Sequence, residues 1–159
     1  MLSAAKKDPI SRALSRGTDK SGAAWADVLA TVPLFSGLSQ RHLRKVAGKA
    51  SMKRFAPLTS IVRVGEPGDA FFIILDGSAS VRKPGKRSVK LGAGDFFGEL
   101  ALLDAAPRSA TVEADSEVLT MRLGRSAFQK VLENEPKVAL AMLRAVAARA
   151  RETSQSKAD

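Results

Sequence analysis

The sequence predicts an α+β fold, in which an antiparallel β-roll or jelly roll of about eight short strands lies between N-terminal and C-terminal helices. Between residues 50 and 123 the apolar residues recur with the period of two that is typical of strands. Turn-forming residues separate these runs, with Gly-Glu-Pro-Gly at 65–68, Asp-Gly at 76–77 and Pro-Gly at 84–85. Short strands at this spacing favour a small antiparallel barrel over a parallel α/β sheet.

The individual strands are predicted from their alternation and from their β-branched and aromatic residues. The Asp-Gly pair between two of them is typical of a tight hairpin turn. The predicted strands cover residues 51–55, 60–64, 70–75, 79–83, 88–91, 110–114 and 118–123.

The residues before the strands predict a tail followed by two helices. Residues 1–21 are polar and basic, and predict a disordered tail. A first helix is expected over residues 22–31, and Ser39 is a suitable N-cap for a second helix at 40–48. The folded domain is therefore predicted to span residues 22–152.

Helical spacing returns after the last strand, at residue 124. Ser126 is a candidate N-cap for the first of two C-terminal helices, and Pro136 can open the second because the first turn does not need its missing N–H. That last helix is expected to end near Arg151, and residues 153–159 are expected to fray. Its predicted apolar stripe consists of Val138, Leu140, Met142, Leu143 and Val146.

Composition excludes several classes of protein. The chain has 159 residues, no cysteine and one histidine, so it has no disulfide framework, no thiolate nucleophile and no histidine-based metal site. His42 is expected to be an exposed surface residue. No apolar run approaches the roughly 20 residues of a membrane helix, and no secretory signal opens the sequence. These features together favour the reducing cytoplasm as the location.

The formal net charge of +10 is concentrated in residues 41–54 and 82–90. Such an excess either attracts an anionic ligand, nucleic acid or anionic lipid, or forms a solvated face that keeps the protein soluble. Aromatic residues make up only 5% of the chain, so a stacking surface for single-stranded nucleic acid is poorly supported.

The most informative stretch runs from Gly94 to Val112. Gly98 allows close approach of the backbone, and Glu99–Leu103 can form a short helix whose first N–H groups and dipole favour a phosphate. Arg108 adds a planar guanidinium that can bind two phosphate oxygens. A carboxylate at Glu99 would repel an anion and is better suited to accept hydrogen bonds from hydroxyls. The stretch therefore predicts a ligand with one phosphate and a neighbouring sugar hydroxyl.

The run Phe97-Gly98-Glu99-Leu100-Ala101-Leu102-Leu103, followed after four residues by Arg108-Ser109-Ala110-Thr111, resembles the phosphate-binding cassette of cyclic nucleotide-binding domains. A looser similarity extends from about Val32 to Arg151. It is greatest to the domains that regulate bacterial cyclic-nucleotide-gated channels and to those of cyclic-nucleotide-dependent kinases. The resemblance implies a regulatory module that binds a cyclic nucleotide and needs no metal.

The resemblance also implies a role for individual residues. Arg108 would bind the cyclic phosphate together with the backbone N–H groups of Ala101 and Ser109, and Glu99 would accept the ribose 2′-hydroxyl. The complete set of expected ligand-binding residues is Gly98, Glu99, Leu100, Ala101, Arg108, Ser109, Ala110, Val62, Val64 and Arg149.

By the same resemblance the last helix is a lid that closes over the base. Val62 and Val64 are candidates for the apolar wall beneath the base. Arg149 either stacks on the base or is an ordinary solvated arginine. Ser109 leaves both cyclic AMP and cyclic GMP open, and we favour cyclic AMP with cyclic GMP also bound.

Other functions are less well supported. An enzyme would need a nucleophile or metal centre that a chain without cysteine and with one histidine does not provide, and a sugar-binding cupin would need a histidine-carboxylate metal set. A transcription regulator of the same family would carry a helix-turn-helix after the long helix, and the sequence ends eight residues beyond Arg151. The chain would then be a fragment without its DNA-binding domain. A nonspecific binder of nucleic acid or anionic surfaces is a further alternative. We expect no specific nucleic-acid partner, an effector protein of unknown identity, and a monomer or weak homodimer.

Overall fold

The computed structural model describes residues 9–15 and 23–158, with side chains as far as Glu152. The elements follow in the order α1 (Pro9–Ser15), α2 (Ala23–Leu29), a 3₁₀ turn (Pro33–Phe35), α3 (Gln40–Lys49), β1 (Ser51–Phe55), β2 (Ser60–Val62), β3 (Ala70–Asp76), β4 (Ala79–Arg82), β5 (Val89–Leu91), β6 (Phe96–Phe97), α4 (Glu99–Leu103), β7 (Thr111–Ala114), β8 (Val118–Gly124), α5 (Arg125–Asn134) and α6 (Pro136–Ala158).

The strands form two four-stranded sheets in which every neighbouring pair is antiparallel. One sheet has the order β1-β8-β3-β6 and the other the order β2-β7-β4-β5. This arrangement confirms the predicted α+β class and its antiparallel β-roll. Within the described residues, no helix combines the length and the apolar character needed to cross a bilayer.

Strand β3 organises the interior because it is buried on both faces. Its first six residues, Ala-Phe-Phe-Ile-Ile-Leu, are all buried. Successive side chains of a strand point to opposite faces. Phe71 and Ile73 therefore pack in a core shared with the helices, while Phe72 and Ile74 pack between the two sheets. One uninterrupted apolar run thus supplies both cores of the protein.

The N-terminal and C-terminal helices share the first of these cores. Val46 of α3 and Phe128 of α5 are buried in it, as is Val138 of α6. The rings of Phe71 and Phe128 lie 4.9 Å apart, centroid to centroid. The helices before and after the roll therefore pack together in one core. Because protein interiors are close-packed, a displacement of one group of helices requires the other group to repack.

Asp115 joins the strands of the second sheet through its side chain. Its carboxylate accepts hydrogen bonds from Lys90 Nζ at 2.8 Å and from Ser80 Oγ at 2.7 and 2.9 Å. The hydrogen bond from Lys90, and then that from Ser80, hold the pKa of Asp115 below its ordinary value. Through these hydrogen bonds the carboxylate connects β5, which carries Lys90, to β4, which carries Ser80.

The structure differs from the predictions at both ends of the chain. Part of the predicted N-terminal tail forms α1, since Pro9 suits the first turn of a helix and Ala13 is fully buried against the core; the rest of that tail, residues 1–8 and 16–21, lies outside the described residues. At the other end α6 continues to Ala158 instead of ending near Arg151. No proline or glycine follows Pro136 to stop it.

The sequence analysis also missed one strand and assigned one helix cap wrongly. The two-residue strand β6 was not predicted, because two phenylalanines between glycine-rich turns show no alternation. Ser126 does not cap α5, which begins one residue earlier after Gly124. The N–H of Arg125 donates instead to the carbonyl of Asp69, at 3.0 Å. A tertiary contact therefore sets the beginning of this helix.

The predicted apolar stripe of α6 and the predicted exposure of His42 need correction too. Val138 and Met142 are buried, but Leu140 and Leu143 are 47% and 65% exposed because they lie off the helix face that meets the core. His42 is only half-exposed. Its Nδ1 lies 2.6 Å from Oε1 of the buried Glu135. This contact connects α3 to the junction between α5 and α6.

Candidate functional site

A cavity of about 560 Å³ is bounded by residues of the roll, α4 and α6. This volume lies within the range of roughly 300–1,000 Å³ that is usual for small-molecule sites. Its lining residues are Val62, Val81, Lys83, Val89, Lys90, Leu91, Asp95, Phe96, Phe97, Gly98, Glu99, Leu100, Ala101, Arg108, Ser109, Ala110, Val112, Val146, Arg149, Ala150 and Glu152. Nine of the ten residues expected at the site are among them, and Val64 is not.

Gly98 forms the beginning of α4 at the edge of this cavity. Its φ of +92° is a backbone conformation that L side chains rarely adopt. A Cβ built on it would lie 2.7 Å from Nη1 of Arg108 and 3.0 Å from the carbonyl oxygen of Ala70. Glycine is therefore required here both for the turn and for the approach of the arginine.

Arg108 is buried behind α4, with only 6% of its surface exposed. Its Nη1 donates to the carbonyl of Gly98 at 3.1 Å, and its Nη2 donates to the carbonyl of Ala70 at 2.7 Å. No carboxylate of the described residues lies within ion-pair distance of it. Burial lowers the pKa of Arg108 from its ordinary value, while Asp69 and Glu99 act in the opposite direction. The direct hydrogen-bond partners of this desolvated positive charge are therefore carbonyl groups, and the carboxylates of Asp69 and Glu99 act on it only from a distance.

The main chain around Arg108 is fixed by the loop that follows β2. The N–H of Arg108 donates to the carbonyl of Glu66 at 2.8 Å, and the N–H of Gly65 donates to the carbonyl of Arg108 at 2.9 Å. Gly68 of the same loop is buried, and a Cβ there would overlap the Cβ of Ala101 and lie 3.2 Å from the guanidinium of Arg108. The loop therefore packs directly against both α4 and Arg108.

Glu99 is the buried carboxylate of the site, with 4% of its surface exposed. Its Oε1 accepts a hydrogen bond from Nη1 of Arg149 at 2.8 Å. Nη2 of Arg149 donates to the carbonyl of Phe96 at 2.7 Å, and its guanidinium lies 4.3 Å from the centroid of the Phe96 ring. Arg149 is therefore not an ordinary solvated arginine, because it connects α6 to the beginning of α4.

The far wall of the cavity is apolar and comes from the second sheet. Val62 and Val112 are buried there, and Val81 and Leu91 are partly buried. Val64 was expected on this wall but is 44% exposed. Strand β2 ends at Val62 after a register irregularity, so the alternation that was extended to Val64 no longer holds. The N–H of Val64 donates instead to Oγ1 of Thr111, at 3.0 Å.

The remaining expected residues differ in their exposure. Ala101 and Ala110 are buried at the cavity edge, whereas Ser109 is exposed and Leu100 is 42% exposed. Within the described part of the chain, no group of three or more histidine, cysteine, aspartate or glutamate side chains could hold a metal ion. The arrangement offers a cation, a hydrogen-bond acceptor and an apolar wall around one cavity, which suits an anion joined to a sugar and a flat base.

The sequence analysis did not assign several residues that line the cavity or pack behind it. Gly68 was assigned only to a turn, although its place beside Asp69 and before the buried strand β3 was a signal of close packing. Phe96 contacts Arg149 across 53 residues of sequence, and no local pattern shows such a contact. Val81 and Leu91 were predicted as strand residues, and their alternation was the signal that they face the interior.

Comparison with known proteins defines the class. The profile described as "Cyclic nucleotide-binding domain" matches residues 52–135. The chain is 38% identical over 123 residues to a cAMP-dependent protein kinase regulatory subunit of Colletotrichum orbiculare, covering 76% of this chain and 32% of the relative. It is 40% identical over 113 residues to a cyclic nucleotide-gated potassium channel of Mesorhizobium japonicum, covering 70% and 31%.

Solved structures agree with these relatives. A co-crystal structure of the regulatory domain of Toxoplasma gondii PKA with cAMP superposes with a TM-score of 0.71 at 31% identity, covering 82% of this chain and 52% of that one. The fold is that of a cyclic nucleotide-binding domain. The chain belongs to the cyclic nucleotide-binding domain family. It spans about a quarter to a third of the length of the curated relatives that it matches.

The packing of Gly68 generates a prediction about stability. Gly68→Ala inserts a methyl group against Ala101 and Arg108, and we expect it to lower the free energy of unfolding by about 1–3 kcal/mol. Gly92→Ala is the matched control, because a Cβ at Gly92 meets nothing within 4 Å. Urea unfolding of both variants is the measurement. Equal stability of the two variants would show that the loop does not pack on the arginine as described.

Proposed function

We propose that this chain is a non-catalytic sensor module that binds cyclic AMP, and cyclic GMP more weakly, and that α6 transmits the binding to a partner protein. The observation that carries the proposal is Arg108, a buried guanidinium at the cavity edge with carbonyl partners but no carboxylate. Burying a charge without an opposite charge is costly. A phosphate monoanion bound in the cavity would provide the opposite charge.

The hydrogen-bonding capacity of Arg108 supports phosphate binding. A guanidinium has five N–H donors, and the two hydrogen bonds to Gly98 and Ala70 leave three available. Those two bonds also hold the planar group in place. Little side-chain entropy is then lost when an anion binds. The main-chain N–H groups of Ala101 and Ser109, two residues that line the same cavity, are our candidates for further donors to the phosphate.

The carboxylate of Glu99 suits the ribose. Its Oε1 is bound to Arg149, while no hydrogen bond within the described residues involves its Oε2. A ribose 2′-hydroxyl can therefore donate to Oε2 while Arg149 keeps its place on Oε1. Glu99 would then contact the ligand and α6 simultaneously.

The choice of cyclic AMP rests on the apolar wall and on the relatives. Val62, Val81 and Leu91 offer no hydrogen-bonding side chain to a base. A purine is therefore held mainly by burial of its faces, which adenine and guanine share. Relatives named for cAMP favour the adenine nucleotide, and the hydroxyl of Ser109 is available to a guanine amino group.

The contact between Arg149 and Glu99 supports a switch in α6. A ligand that contacts Glu99 changes the surroundings of the carboxylate that accepts a hydrogen bond from Arg149 of α6. Any difference in ligand affinity between two positions of α6 shifts their populations. The partner that reads this change is an effector protein whose identity the residues of this chain do not specify.

Arg108→Ala is expected to weaken the binding of cyclic AMP by at least about tenfold, since a charge-assisted contact is worth roughly 1.5–3 kcal/mol. Arg54→Ala is the control, because Arg54 lies on β1 and does not line the cavity. Isothermal titration calorimetry measures both variants. Unchanged affinity in a folded Arg108→Ala protein would refute the phosphate role.

Glu99→Ala tests the ribose contact through a comparison of two ligands. We expect the variant to lose affinity for cyclic AMP but to lose much less for 2′-deoxy cyclic AMP, which has no hydroxyl to donate. Because the loss of the Arg149 contact affects both ligands alike, the difference reports the hydroxyl alone. Equal losses for the two ligands would contradict the assigned role.

Movement of α6 can be measured with spin labels, because the chain has no native cysteine to compete for them. Labels at Arg144→Cys on α6 and Lys86→Cys on the roll are expected to change their distance when cyclic AMP is added. A pair at Arg63→Cys and Lys86→Cys, both outside α6, is the control and should keep its distance. Identical distance distributions with and without nucleotide for the α6 pair would exclude the switch.

A further inference from the structure

A second cavity, of about 380 Å³, lies between α3 and α5. It is lined by His42, Lys45, Val46, Lys49, Lys130, Val131, Asn134 and Glu135. None of these residues lines the nucleotide cavity. Val46 and Val131 are buried and form its apolar floor.

The three lysines of this cavity carry charges that no neighbouring carboxylate in the described part of the chain neutralises. None of Lys45, Lys49 and Lys130 has an ion-pair partner among the described residues. Three like charges around one concave surface repel one another, and an anion between them would relieve the repulsion.

The only carboxylate among the lining residues does not cancel this charge. Oε1 of Glu135 lies 2.6 Å from Nδ1 of His42, so the acid already has a partner in the cavity wall. The lining therefore keeps a positive excess from three lysines against one carboxylate. The side-chain amide of Asn134 adds hydrogen-bond donors beside them.

We propose that this cleft is a second binding site, separate from the nucleotide cavity, for a compact anion with closely spaced phosphate groups. The spacing along α3 supports this, since Lys45 and Lys49 are four residues apart and lie on one face of the helix, opposite Lys130 of α5. Lysine ammonium groups bind phosphate oxygens as point charges from several directions. Such an anion is either a soluble polyphosphate or the phosphorylated headgroup of a lipid.

The site is tested with inorganic tripolyphosphate at about 0.15 M salt, where weak surface attraction is screened. In a ¹H–¹⁵N spectrum of the full chain, saturable shifts are expected at Lys45, Lys49, Lys130 and Asn134. Shifts confined to Ala101, Ser109 and Arg108 would place the anion in the nucleotide cavity and overturn the proposal. This readout does not depend on whether the chain binds a cyclic nucleotide, so the two proposals fail separately.

A matched pair of variants separates the cleft from general charge. Lys45→Gln with Lys49→Gln removes two charges inside the cleft and is expected to weaken tripolyphosphate binding by roughly tenfold or more. Arg41→Gln with Arg44→Gln removes two charges from the same helix at residues that do not line the cleft, and a much smaller loss is expected. Equal losses for both variants would mean nonspecific attraction and would refute the site.

The source of the phosphate groups is distinguished by a second arm of the experiment. Co-sedimentation with phosphatidylcholine vesicles containing phosphatidylinositol bisphosphate is measured for the same two variants. Cleft-dependent vesicle binding assigns a lipid headgroup, whereas tripolyphosphate binding without vesicle binding assigns a soluble polyphosphate. Binding in neither arm overturns the proposal.

Discussion

The geometry of the candidate site depends on one interaction, the hydrogen bonding of a buried, charged arginine to main-chain carbonyls. Arg108 contacts the carbonyls of Gly98 and Ala70, and these come from the beginning of α4 and the beginning of β3. The absence of a Cβ at Gly98, which has a positive φ, and at Gly68 leaves the space that the guanidinium occupies. Under the proposed function, a guanidinium that is already held in the cavity wall needs little rearrangement to bind an anion.

The same local arrangement connects the site to the rest of the fold. Strand β3 carries one of the two carbonyls and also supplies apolar side chains to both cores. Glu99 follows Gly98 directly and is bound by Arg149 of α6, whose N-terminal half packs in the core shared with α3 and α5. The candidate site is therefore connected to the helical core through α6, by the hydrogen bond between Arg149 and Glu99.

Much of this could be predicted from the sequence, and the reasons for the failures are physical. The bounds of β1 and α4 follow from local pattern and glycine punctuation, and the family resemblance marked Arg108 and Glu99. The side-chain contacts Arg149–Glu99 and His42–Glu135 join residues that are 50 and 93 positions apart. Only tertiary packing determines such contacts, so the sequence showed the residues but not their partners. The prediction that Leu140 and Leu143 belong to the buried stripe of α6 was wrong for a related reason. Helical periodicity shows which residues share a face but not how wide the buried part of that face is.

The most direct measurement is a crystal structure of the chain grown with cyclic AMP. The account predicts that the cyclic phosphate lies within about 3 Å of the Arg108 guanidinium, the hydrogen-bonding distance of charged groups. It also predicts main-chain N–H groups of the Ala101 and Ser109 region on the other phosphate oxygens. A well-ordered nucleotide whose phosphate lies away from Arg108 would contradict the central claim.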